Sequence, residues 1–266
     1  MTAIRNVGIV GLGKMGLPMA KHLLAKGFGV VGCDPAVRSA GIEMLASPRE
    51  VASRSDLVIV VVGFDHEVEA VVTELLEGSR KGLVVALAST VAPRYAQGLA
   101  QRLAGSGITL LDIPLARGEA AAVAGKLLIY GAGDKEAFDA CRPAFAAFAS
   151  DIFHLGPAGA GQVGKMVNNL ILWACISAND EGLRLGEALG VDPATLREAL
   201  RHGSAQNWAM DSSAERSGMP WAEKDMSIVL HEADLARLSL PLAGTVKEVI
   251  KGLKIRLGLG LPPGSD

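Results

Sequence analysis

The sequence predicts an α/β fold: a doubly wound sheet covered by helices in the N-terminal part, and an all-helical domain after it. Three observations carry that expectation. Short Val/Ile/Leu-rich runs alternate with helical segments from residue 5 to about 155. A glycine turn, Gly11-Leu12-Gly13-Lys14-Met15-Gly16, joins the first apolar run to the first helix. After Gly156-Pro157-Ala158-Gly159-Ala160-Gly161 no further strand is evident. Alternating strands and helices build a parallel sheet with helices on its faces, so domains are expected at 1–158 and 159–266.

Strands are expected at 5–10, 29–33, 57–62, 83–88, 108–113, 127–131 and 151–155. Leu57 to Val62 is the clearest, because it is continuously apolar, as a strand buried on both faces must be. Gln162 to Leu189 reads as one helix, roughly 42 Å long. Asp192-Pro193 supplies a cap and a first-turn proline for the next helix. Pro241 opens a last one ending near Leu257, and the Gly- and Pro-rich tail Gly258 to Asp266 is expected to fray.

The bulk composition narrows the function. A chain of 266 residues, 50% hydrophobic and with 32 glycines, buries a large core. Its net charge of -2, from 26 basic and 28 acidic residues, offers no footprint for nucleic acid or an anionic membrane, which leaves a small molecule as the favoured ligand. Cys33, Cys141 and Cys175 lie far apart and form neither a disulfide framework nor a Cys-x-x-Cys site. Histidines 22, 66, 154, 202 and 231 show no ligand spacing, so no metal is required. The N-terminus lacks the apolar core of a signal peptide, and the longest apolar run, Leu170 to Ala178, is about half of the ~18 residues a membrane span needs. A soluble, cytoplasmic protein is expected. Trp173, Trp208 and Trp221 are most simply packing residues, with Trp208 the alternative candidate for lining a substrate cleft.

The glycine turn has a mechanical reading. Gly11 permits the tight turn, Gly13 lets the backbone approach a pyrophosphate, and Gly16 lets the helix pack closely on the strand, with the helix N-terminus facing the anion. Asp34 closes the second strand, 23 residues after Gly11, where an acid can hydrogen-bond the adenosine ribose. A Rossmann-type dinucleotide domain is the reading. A 2′-phosphate within 4 Å of Asp34 would cost roughly 1 to 4 kcal/mol, so NAD is expected over NADP. Two alternatives attach here: Asp34-Pro35 could simply cap the next helix, and Arg38 could turn toward a 2′-phosphate.

The second diagnostic stretch, Gly159-Ala160-Gly161-Gln162-Val163-Gly164-Lys165-Met166, comes within one residue of a phosphate loop and fails at Met166, whose thioether cannot hold magnesium. The helix instead sets Lys165 and Asn169 four residues apart on one face, with Asn168 beside them. An ammonium and an amide projecting together can position a hydroxyl and transfer its proton. For that, the lysine pKa must fall from ~10.4 toward 7 or 8; the alternative is a surface lysine that snorkels to solvent at a helix start.

With these residues in view, the chain resembles the β-hydroxyacid dehydrogenase family, which includes 3-hydroxyisobutyrate dehydrogenase, tartronate semialdehyde reductase and sulfolactaldehyde reductase. The family signature G-L-G-x-M-G-x-x-M-A is matched from Gly11 to Ala20, with Met15, Met19 and Ala20 in place. The resemblance implies cofactor contacts from Gly11, Leu12, Gly13, Met15, Gly16, Asp34, the Val62-Gly63 loop and Thr90 of Ser89-Thr90. The glycine-rich run ending in K-x-x-N-N is matched by Lys165, Asn168 and Asn169, implying Lys165 as the catalytic acid/base with Asn169 assisting. Lys224 of Lys224-Asp225-Met226 is implied near both cofactor and substrate.

The substrate segment departs from the family pattern. Where the family has serine and glycine, this chain has Ala116 and Arg117, followed by Gly118. A guanidinium can clamp a carboxylate, sulfonate or phosphate, so a small anionic hydroxy acid or aldehyde read by Arg117 is expected. The alternative is that Arg117 pairs with Glu119 or another acid and shapes the loop. The segment between Gly203 and Lys224 and the C-terminus are shorter than the family pattern, which leaves the site more open or completed by a partner subunit. A homodimer or homotetramer is expected, with the long apolar helix contributing to the interface or, alternatively, to an intramolecular core. The rivals are an imine reductase on the same scaffold, disfavoured by Lys165, and a non-catalytic dinucleotide-binding protein.

Overall fold

The computed structural model describes residues 3–37, 41–211 and 219–260. Arg38 and residues 212–218 and 261–266 lie outside the described set. The first part of the chain runs β1 (Asn6–Val10), α1 (Gly16–Ala25), β2 (Gly29–Cys33), β3 (Glu43–Met44), α2 (Pro48–Arg54), β4 (Leu57–Val60), α3 (Asp65–Gly78), β5 (Val84–Leu87), α4 (Pro93–Leu103), β6 (Thr109–Asp112), β7 (Leu115–Ala116), α5 (Gly118–Val123), β8 (Leu127–Gly133), α6 (Lys135–Phe145) and β9 (Ala149–His154). Only helices follow among the described residues: α7 (Ala160–Ala188), α8 (Pro193–Leu200), α9 (Trp208–Asp211), α10 (Ala222–Leu235) and α11 (Pro241–Arg256).

The sheet order is β3-β2-β1-β4-β5-β6-β8-β7, with β9 beside β8. From β3 through β6 every pairing is parallel, and the order reverses between β1 and β4. Open α/β sheets bind ligands outside the carboxyl ends of the strands at such a switch point. The wholly parallel sheet expected from the alternation is corrected at the far edge, because β8 runs antiparallel to both β6 and β7. The physical reason is the short connection. Between β6 and β8, β7 folds back on β8 through the six-residue α5, leaving no helix to cross the sheet face. Strands β3 and β7 are two residues each, too short to leave a pattern in the sequence.

Alternate strand residues feed two cores, one on each face. Ile9, Leu57, Ile59, Val84 and Ala86 pack with Met19 and Leu23 of α1 and Phe138 and Phe145 of α6. Val58, Val60, Val85 and Leu87 pack with Val51 of α2, Val68 and Leu75 of α3, and Leu99 of α4. The sheet is thus covered on both sides, as its apolar strands require.

Chain contacts divide the molecule into two units, Met1–Lys165 and Met166–Asp266. The second has its own core, in which Trp173 and Ile176 of α7 meet Met226 and Val229 of α10 and Val246 and Ile250 of α11. Trp173 is buried, whereas Trp208 and Trp221 are exposed and so lie outside the core, which leaves interface packing as the role expected for these two.

Candidate active site

The glycines at the switch point serve different purposes. Gly11 has φ +95°, and a Cβ there would lie 2.1 Å from the Val61 carbonyl oxygen. At Gly16 a Cβ would lie 1.9 Å from the Gly11 carbonyl oxygen. Both are therefore required by the fold of the turn itself. Gly13 is different: its φ is not positive, it is exposed, and a Cβ would meet no atom within 4 Å. The protein makes no demand for glycine there, and the open space in front of its backbone is the cradle a pyrophosphate would fill.

Beside the cradle, Asp34 is held by its own loop. One carboxylate oxygen accepts from the Leu12 N–H at 2.7 Å, and the other from the Ala36 and Val37 N–H groups at 2.7 and 3.0 Å. The carboxylate therefore braces the glycine turn as well as ending β2. Met15 precedes α1 and is half-buried against the first core, while Leu12 is fully buried. These residues fit a dinucleotide: an open glycine turn leading to a helix N-terminus, with an acid at the end of the second strand.

Two further loops leave the carboxyl ends of the strands. After β4, the Val62 N–H donates to Ser89 Oγ at 2.9 Å, while the Gly63 and Phe64 N–H groups are capped by Glu67 Oε2 at 2.8 and 2.9 Å. After β5 comes Ser89-Thr90-Val91, with Thr90 half-buried between two buried neighbours.

The start of α7 is seated against these strand ends by glycines and by buried polar groups. A Cβ at Gly161 would lie 2.4 Å from the Tyr130 carbonyl oxygen and 2.7 Å from an Asp112 carboxylate oxygen; one at Gly164 would lie 2.5 Å from the Leu155 side chain. The glycine-rich run thus exists for close packing, which accounts for its likeness to a phosphate loop. Asp112, fully buried at the end of β6, accepts from the Gly159 N–H at 3.1 Å and the Gln162 N–H at 3.0 Å. Burial pushes its carboxyl above the ordinary value of 3.8, against the opposing pull of those N–H groups. Lys165 follows Gln162 by three residues and is half-buried.

Within the second unit, the Asn169 amide donates to an Asp225 carboxylate oxygen at 2.8 Å, and the Trp173 indole N–H donates to the same oxygen at 3.3 Å. The Asn168 amide donates to Asn169 Oδ1 at 3.0 Å. Lys224 lies 5.5 Å from the centroid of the Trp221 ring.

Arg117 is paired with an acid. It adopts the left-handed conformation with φ +81°, where a side chain costs roughly 1–2 kcal/mol. Its guanidinium is turned to β9: Nη1 donates to Asp151 Oδ2 at 2.6 Å, Ser150 Oγ at 2.9 Å and the Lys126 carbonyl at 3.2 Å. These bonds occupy Nη1 and neutralise the guanidinium with a carboxylate, which weakens its pull on a substrate anion. Ala116 is buried in β7, and Gly118, with φ +72°, is exposed.

Sequence reasoning overlooked the roles of Asp112, Gln162 and Asp225. The available signal was Asp112 and Gln162, polar side chains in apolar and glycine-rich stretches, while Asp225 is masked by its neighbours Glu223 and Lys224; the partners described for the three side chains lie 47 to 73 residues away in the chain. Among the described residues, no group of three or more His, Cys, Asp or Glu could hold a metal ion, and no helix is long and apolar enough to cross a membrane.

Comparison with known proteins places this arrangement. Residues 6–156 match the NAD binding domain of 6-phosphogluconate dehydrogenase, and residues 159–260 match the NAD-binding domain of NADP-dependent 3-hydroxyisobutyrate dehydrogenase. The chain is 33% identical over 264 residues to an L-threonate dehydrogenase of Cupriavidus necator, covering 92% of this chain and 89% of that one. It is 34% identical over 218 residues to an NAD-dependent L-serine dehydrogenase of Pseudomonas aeruginosa, covering 78% and 73%. A solved structure of Mycobacterium tuberculosis 3-hydroxyisobutyrate dehydrogenase with L-serine superposes with a TM-score of 0.84 at 25% identity, covering 95% of this chain and 94% of that one. The chain belongs to the β-hydroxyacid dehydrogenase family, nicotinamide-dinucleotide oxidoreductases of the 3-hydroxyisobutyrate dehydrogenase type that act on CH–OH groups.

Proposed function

We propose that the protein interconverts a small anionic β-hydroxy acid and its semialdehyde, with NAD preferred over NADP and Lys165 as general acid/base. The observation that carries this reading is the seating of α7, whose first turn is bonded to the ends of β5 and β6 and whose next turn bears Lys165. The nicotinamide, when bound, supplies or accepts the hydride. Lys165 gives the proton to the carbonyl oxygen in reduction, or takes it from the hydroxyl in oxidation, and Asn169 holds that oxygen in place. Gly11, Leu12, Gly13, Met15 and Gly16 receive the pyrophosphate side of the cofactor, Asp34 the adenosine ribose, and Val62, Gly63 and Thr90 the remainder. Ala116, Gly118 and Lys224 are the residues that the family resemblance implies for substrate contact. Arg117 serves the loop: its bonds to Ser150 and Asp151 hold a left-handed residue in place.

The NAD preference rests on Asp34, whose braced carboxylate would meet a 2′-phosphate with a like charge. The L-serine enzyme's NAD dependence agrees with it. A homodimer or homotetramer is supported by exposed apolar side chains in the helical unit, among them Leu185, Leu189, Leu242 and Ile255.

The test is a spectrophotometric screen of NAD and NADP against hydroxy acids and semialdehydes, including sulfonated and dicarboxylic ones. Turnover with NAD is expected on one or more of them, and Lys165→Ala should lose about 100- to 10,000-fold in kcat. Undiminished turnover in that variant would sink the proposed mechanism.

A further inference from the structure

We infer that Gln162 is a positioning residue, a buried amide that sets Lys165 against the loop bearing Thr90; the inference rests on the catalytic reading of Lys165 given above. Gln162 is 1% exposed. Its Oε1 accepts from the Val91 N–H at 3.2 Å, and its Nε2 donates to the Ser89 carbonyl at 3.0 Å. One side-chain amide thereby closes both backbone groups flanking Thr90. Its own backbone N–H goes to Asp112 at 3.0 Å.

The bonds continue outward on both sides. Ser89 Oγ accepts from the Val62 N–H, and Asp112 accepts from the Gly159 N–H. The carboxyl ends of β4, β5 and β6 and the first turn of α7 are thus linked through Gln162 within one unit. Lys165 lies three residues further along the same helix, so a shift of the helix start is carried to its ammonium at nearly full size.

Packing at the helix start is supplied separately by Gly161 and Gly164, so removing the amide should leave the fold standing. Misplacement of about 1 Å between reacting groups costs on the order of 100-fold in rate. Gln162→Met keeps the volume and removes both side-chain bonds; Gln162→Glu keeps the acceptor for Val91 and removes the donor to Ser89.

The experiment measures wild type and both variants for kcat, KM, the deuterium isotope effect on hydride transfer, dinucleotide binding by fluorescence, and hydrogen exchange at the Val91 amide. For Gln162→Met, we expect kcat to fall about 10- to 100-fold. The isotope effect should become more fully expressed, dinucleotide affinity should stay within about 3-fold, and Val91 exchange should accelerate without the cofactor present. Gln162→Glu should lie between wild type and Gln162→Met in kcat. Overturning results are a folded Gln162→Met enzyme with wild-type kcat and isotope effect, or one whose Val91 exchange is unchanged. A lower thermal midpoint with unchanged kcat in the folded enzyme would also overturn it, as a structural role only. A wild type inactive on every hydroxy acid, or a fully active Lys165→Ala, would defeat the functional reading instead, and the Val91 exchange would still report the tether.

Discussion

At the level of single residues, the glycines of the first turn separate fold from function. A Cβ at Gly16 collides with backbone, whereas one at Gly13 enters open space. Gly16→Ala should therefore lower the thermal midpoint markedly. Gly13→Ala should leave it unchanged, or raise stability by up to about 1 kcal/mol by restricting the unfolded chain, yet weaken dinucleotide binding tenfold or more. Calorimetry and fluorescence titration of the same two proteins check both halves. Arg117 makes a second case. Bonds from Ser150 and then Arg117 hold the Asp151 carboxyl below the usual carboxylate range. Its folded pKa being depressed, the linked stability is present above the ordinary value of 3.8 and is lost as pH falls through the folded pKa. Asp151→Asn should flatten that acid limb in a plot of thermal midpoint against pH. Arg117→Ala should change activity on anionic and neutral substrates by the same factor; a loss confined to anionic ones would restore Arg117 as the substrate clamp.

At the level of elements, α7 shows how position along one helix changes what a glycine does. Gly161 is pressed against the Tyr130 carbonyl and Asp112, while Gly182 has nothing within 4 Å of its Cβ position. Gly161→Ala should lower the thermal midpoint and reduce kcat together, because the helix start must lift off the strand ends. Gly182→Ala should stabilise the protein by up to about 1 kcal/mol, the ordinary gain of alanine in an exposed helix interior, with kcat unchanged. Thermal scans with parallel rate measurements distinguish the two. The same helix was readable in outline from its apolar length, but not the two-residue difference in its start, since the glycines that seat it look like a helix breaker until β8 is placed against them.

For the whole molecule, exposed Leu185, Leu189, Leu242 and Ile255 favour self-association, and sedimentation should give twice or four times the chain mass. A monomer across the working concentration range would count against the proposed assembly. The sequence by itself determined the α/β start and helical finish, because strands buried on both faces must be apolar throughout and helices must alternate with them. It also determined the dinucleotide turn and the family, since these reside in local spacing: Gly11, Gly13 and Gly16 in one turn, Asp34 at the next strand end, and Lys165 with Asn169 on successive helical turns. Only the tertiary structure decided the direction of β8, the partner of Arg117 and the tether through Gln162. Each depends on groups distant in the chain, and hydrogen bonds are chosen by where the folded backbone places donors and acceptors, which no local pattern encodes.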